Sequence, residues 1–187
     1  ASASIGGGDN IHWMINASHQ QSKGFSATNP DAAFSYQDDQ DGYRQQHIGA
    51  QISSAVTEQL ELGLNLQHTN TRADIDNPFS SNPNPAAKEQ LNIVAFTAKQ
   101  AWSATQFSSA QLAQTEDNYT LVNEDGRFRT QQTQLQLQHR ASWNTQTVNI
   151  GMDILRERLR SDTVYDATAR NTQAVFANYH GSIGAHS

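Results

Sequence analysis

Asp38, Asp39 and Asp41 fall within four positions, and Gly42 closes the group. Carboxylates this close repel one another unless a cation sits between them, and hard oxygen donors at such spacing suit Ca2+. The stretch is not an EF-hand loop, because the distal Glu and the flanking helices are missing. On spacing alone the simpler reading is an acidic, solvated turn that leads into a strand. Other chemistry is thinner. Nucleophilic catalysis needs a nucleophile, a base and an orienting acid brought together. The 7 His are scattered, and no local motif places a Ser or Asp beside them. His12, His19, His47 and His68 read as polar strand residues, and no enzymatic role is expected. With 0 Cys, disulfides and thiolate metal sites are excluded. A net charge of −6 argues against nucleic acid as a partner.

The elements that must carry the aspartates are strands. Leu60, Leu62, Leu64 and Leu66 interleave with Glu61, Gly63, Asn65 and Gln67. Val148, Ile150, Met152 and Ile154 interleave with Asn149, Gly151 and Asp153. A period of two means one apolar and one polar face. The pattern predicts strands from about Asn10 to Lys23, Tyr43 to Ala55, Gln59 to Asp74 and Glu89 to Trp102. It continues with Thr105 to Thr115, Arg127 to Trp143, Thr147 to Arg160 and Asn171 to Ile183, with Ala1–Ile5 as the end of one more. Short turns are expected near Gly6–Asp9, Val56–Glu58, Ser103–Ala104, Asn144–Gln146 and Gly184–Ser187. Long connections are expected at Gly24–Gly42, Ile75–Lys88, Glu116–Gly126 and Ser161–Arg170, where Pro, Asn, Asp, Ser and Gly concentrate.

Alternation of short and long connections puts all the long loops on one side. The expected reference is a membrane. Mean hydropathy is low, −0.70, and no run has the length of apolar sequence that a membrane helix needs. A β-barrel escapes that requirement, since only alternate residues face lipid. The strands exceed the five or six residues usual in a sandwich. On the eighth strand the outward register runs through Val148 to Ile154 and then meets Arg156, Arg158 and Arg160. Ten residues of an inclined strand climb about 25 Å, so Arg156 falls at the far rim of the apolar band. These three arginines are expected either to meet lipopolysaccharide phosphates or to form a solvated loop base. Trp13, Trp102, Trp143 and Tyr179 lie near short turns, as an interfacial girdle would. The inward face, with Gln132, Gln134, Gln136 and Gln138, would line a wet or plugged lumen. Around Phe107 and Phe176 neither face is cleanly apolar.

Gly24-Phe25-Ser26-Ala27-Thr28-Asn29-Pro30, then Asp39-Gln40-Asp41-Gly42-Tyr43-Arg44 and the strand with Ile48, Ala50 and Ile52, resemble an early extracellular hairpin of TonB-dependent outer-membrane receptors. The cobalamin receptor branch is the nearest. Gly151-Met152-Asp153, Arg156-Glu157 and the run from Thr172 to Tyr179 resemble its mid-barrel strands. The resemblance implies an all-β, antiparallel up-and-down transmembrane β-barrel of which this chain supplies about eight to nine strands. The family's barrel has about 22 strands around an N-terminal plug. It implies uptake of a cobalamin-like or other metal-chelate ligand, with energy relayed by TonB through the plug. By that match Asp39 and Asp41 are expected to bind calcium with Asp74 from the next hairpin, Asp38 and Asp76 being weaker candidates. Phe34 and Tyr36 would contact the ligand or pack within the loop. The expected location is the outer membrane of a Gram-negative bacterium. Residues 1–187 lack the plug, the TonB box, a signal peptide and a terminal assembly aromatic, so an internal piece of a barrel is expected. The competing expectation is a self-contained eight-stranded barrel with a structural or adhesive role.

Overall fold

The computed structural model describes residues 1–26, 31, 39–77, 85–122 and 126–181. They form β1 (Ser2–Gly7), β2 (Ile11–Ser22), β3 (Tyr43–Ala55), β4 (Leu60–Asp74) and β5 (Ala86–Ala101). β6 (Gln106–Leu121), β7 (Arg127–Trp143), β8 (Gln146–Ser161) and β9 (Ala169–His180) follow. All belong to one 9-stranded sheet in sequence order, and every neighbouring pair is antiparallel. The chain is therefore all-β, an up-and-down meander, with no helix among the described residues. β1 and β9 each keep one edge unpaired, so the sheet is open.

Register sorts the side chains into two faces. Trp13, Ile52, Leu64, Phe96, Leu112, Leu135 and Ile154 follow one another across seven strands as directly paired residues. The opposite face carries Asn65, Gln111, Gln134, Gln136 and Asp153 at the same height. Phe107 and Phe176 lie on this polar face. Phe176 packs over Gly151, where a Cβ would meet its ring. That is the aromatic cover a strand glycine invites, and it explains why neither face reads as cleanly apolar there.

The apolar band is slanted relative to the pairing rows. Its last apolar residue toward the long loops is Ile48 on β3, Leu66 on β4, Val94 on β5 and Ile154 on β8. Ile48 pairs with His68 and Leu66 with Val94, but Val94 leads across to Gln114, Thr133 and Arg156. The short turns step the same way. Trp13, in the last pair of the first hairpin, faces Ile52, three residues short of Ala55 in the next. Glu61 faces Lys99, two residues short of Ala101, and Phe107 faces Arg140, three short of Trp143. Band and turns thus stay level with each other while the rows climb past both.

A single layer has no second layer to bury its apolar face. Among the described residues only Gly49, Pro85, Ala86 and Ala95 are buried, while Phe96 stays 56% and Val175 81% exposed. Covering such a side chain fully is worth about 1.5–3 kcal/mol, a gain this face leaves unrealised.

Two connections are shorter than the sequence pattern indicates. β5 begins at Ala86, and Glu116–Leu121 are strand rather than loop. Both stretches lie beyond the apolar band, where Lys88, Glu116, Asn118 and Thr120 make its face polar, so the apolar alternation that marks the strands stops short of them. They are held by the ladder, with Ala87 opposite Leu121 and Thr120 opposite Arg127. The turn expected at Gly184–Ser187 lies outside the described residues.

Candidate functional site

The first and second long loops meet at their necks. Gly24, which follows β2, takes φ +69°, and a Cβ there would overlap the Asp41 carbonyl. Only glycine tolerates that approach at that dihedral. The Asp41 N–H donates to the Phe25 carbonyl at 3.3 Å, closing the neck of the first loop. One residue later the Gly42 carbonyl accepts the Asp74 N–H at 2.8 Å. This bond seats the first loop on the end of β4. Beyond it, the Ile75 N–H donates to the Pro85 carbonyl at 3.1 Å and closes the second loop. Asp76 is thereby carried in above Asp39 and Asp41.

Asp39, Asp41 and Asp76 each place a carboxylate oxygen within 4.8 Å of the other two. Both oxygens of Asp76 are shielded from solvent and accept no hydrogen bond. A shielded carboxylate without a partner costs several kcal/mol unless a positive charge compensates it. Calcium–oxygen distances of about 2.3–2.6 Å put oxygens on opposite sides of one ion about 5 Å apart. The donor set therefore fits a hard divalent cation, with three carboxylates as the start of a six- to eight-oxygen shell.

The aspartate from the second loop is Asp76, and Asp74 stands outside the group. Asp74 is still a ladder residue, opposite Ala86. Its register puts it on the face with Arg72, whose Nε lies 3.7 Å from its Oδ1. Two residues further on, the ladder has ended and Asp76 is free to turn inward. Phe34, Tyr36 and Asp38 lie outside the described residues.

Some features of this end of the sheet carry no sequence signal. On the polar face Tyr119, Phe128 and Tyr165 form an aromatic row, with ring centroids 6.0 Å and 6.3 Å apart. Tyr165 comes from the connection after β8, and only cross-strand register brings the three together. Glu157 on the same face accepts hydrogen bonds from Gln132 and Arg170. At the other end, the Trp102 indole donates to Ser108 Oγ at 2.8 Å, which lies 2.8 Å from His139 Nδ1. Trp13, Trp143 and Tyr179 fall on the same apolar face, near the short turns. Ser108 thus links the Trp102 indole to the His139 ring at the edge of the band. No protein-family model matches the chain, and no curated protein matches it.

Proposed function

We propose that this chain is a segment of an outer-membrane receptor barrel of the TonB-dependent, cobalamin-receptor type. It takes up a cobalamin-like or other metal-chelate ligand and has no catalytic role. On this reading the apolar face meets lipid, and the polar face lines a lumen holding a plug that contacts TonB. The long loops face outward from a Gram-negative cell. The carrying observation is the meeting of Asp39, Asp41 and Asp76 across two loops, with both Asp76 oxygens shielded and unpartnered. Ca2+ held there ties the loops together and sets the ligand-binding end. The cation supplies charge neutralisation and cross-linking, and the necks at Gly24 and Gly42 supply the positioning. The level apolar band, bordered by tryptophans at one end and arginines at the other, supports the membrane part of the reading.

The segment reading has support over a small self-contained barrel. β1 and β9 run in the same direction, so closing these strands on themselves would pair the two in parallel. Single-chain bacterial barrels close antiparallel with even strand numbers. Open edges facing hydrocarbon are not tolerated, so further strands would cover them. An isolated 187-residue chain that folds in detergent to a heat-modifiable band would favour the small barrel instead.

The deciding experiment is equilibrium binding of cobalamin to the full-length receptor, with and without a calcium chelator. Chelation is expected to weaken the wild type at least tenfold. The Asp39→Ala/Asp41→Ala and Asp76→Asn variants should already be weak and indifferent to calcium. Wild-type affinity that ignores calcium, together with unchanged variants, would sink the site.

A further inference from the structure

Basic residues are segregated as sharply as apolar ones. The chain carries −6 overall, yet eight of its 12 Lys and Arg project from the apolar face beyond the band, toward the long loops. Only Asp74 and Glu116 oppose them on the strands of that face. Arg44 stands directly opposite Arg72, and Arg72 directly opposite Lys88. Like charges so paired destabilise a sheet. Neither Arg44 nor Lys88 has an ion-pair partner among the described residues; Arg72 meets Asp74 at 3.7 Å, and Arg129 holds Glu116 through Nη2 at 2.6 Å while its Nε is shielded without an acceptor.

These cations share one level. Counting along the outward register, Arg44 is the second position past Ile48. Arg72, Lys88, Arg129 and Arg160 are each the third past Leu66, Val94, Leu135 and Ile154. The slant that keeps the band level also keeps the charges level. Amides lie between them: Asn70, Gln90 and Asn118 line two recesses of about 470 and 500 Å³ that share Gln90 and Asn118. From β3 to β8 the belt spans five strand spacings, about 24 Å. Free phosphate is too small for that span.

We propose that Arg44, Arg72, Lys88, Arg129 and Arg160 form a docking belt for the headgroup of a phosphorylated glycolipid of lipopolysaccharide type. The guanidinium and ammonium groups take its phosphates, and the amides take sugar hydroxyls. The acyl chains lie against the apolar band immediately below. The belt rests on the membrane reading above. It extends the site across six strands, beyond Arg156 and Arg158 at the band's edge.

The test supplies purified lipopolysaccharide to the full-length receptor folded in detergent, and reads lipid phosphorus retained through gel filtration. Arg44→Gln/Arg72→Gln/Lys88→Gln should retain at least fivefold less than wild type. Lys99→Gln/Arg140→Gln, which removes two charges from the polar face, should retain the wild-type amount. Lys88→Gln alone should retain about half, and it alters a single exposed side chain should the triple variant misfold. Dephosphorylated glycolipid should be retained by wild type no better than by the triple variant. Equal retention by wild type, triple and single variants overturns the belt. Tryptophan quenching by brominated lipid separates the two ideas. A wild type that is not quenched overturns the membrane reading and the belt together. Quenching with charge-independent retention overturns the belt alone.

Discussion

Two places in this molecule set like charges side by side, and they do it in opposite ways. Asp39, Asp41 and Asp76 are drawn from two loops into one point, with Asp76 shielded and its oxygens unpartnered. Arg44, Arg72 and Lys88 are spread along a row of three strands and remain open to the surroundings. A point of negative charge is answered by one small, highly charged ion. A row of positive charge is answered by an extended anion. The difference teaches that repulsion left in a fold has a shape, and the shape describes the missing counter-charge.

The comparison can be broken first at the acidic point. Calcium at a hundredfold its dissociation constant should add about 2.7 kcal/mol to the unfolding free energy, followed by urea denaturation of the protein in detergent. Asp39→Asn/Asp41→Asn should lose that increment, and retention of it would remove the ion from the account. Gly24→Ala comes next. Forcing a Cβ into a left-handed position costs about 1–2 kcal/mol, and the overlap with the Asp41 carbonyl adds to it. The same titration should show weaker calcium binding, although no ligand has been changed. At the basic row the sign reverses. Lys88→Glu puts a carboxylate opposite Arg72, and such a pair should stabilise the lipid-free protein by about 0.2–1 kcal/mol while lowering lipopolysaccharide retention. The smallest effect belongs to Asp74→Asn. An exposed pair at 3.7 Å contributes about 0–1 kcal/mol, and calcium affinity should stay put. A large loss there would return Asp74 to the metal group in place of Asp76.

Much of the architecture was legible wherever one face is apolar. Tyr43–Ala55 and Arg127–Trp143 were read end to end, because Ile48, Ile52, Leu135 and Leu137 mark a period of two and turn residues bound the runs. Legibility failed beyond the band. Glu116–Leu121 puts only Glu116, Asn118 and Thr120 on the band's face, and its strand character comes from partners far away in sequence. The pairing of Asp39 and Asp41 with a carboxylate from the next hairpin could be anticipated. Which carboxylate it is depends on where the ladder stops, and a one-dimensional pattern does not locate the last bond at Asp74. The charged row was invisible for the same reason. Arg44, Arg72 and Lys88 are far apart in sequence, and only register makes them neighbours.

The stepping of the short turns has a geometric consequence. Two or three residues per hairpin is 1–1.5 residues per strand. With a rise of about 3.3 Å and a strand spacing of about 4.8 Å, that slope is an angle of about 35–46°, which covers the inclination of closed membrane sheets. A sheet with this slope closes only as a screw. Followed around its girth, a pairing row returns displaced along the axis rather than to its own start. A strand that paired with the free edge of β1 to close such a sheet would therefore arrive out of step by the sum of all the steps before it.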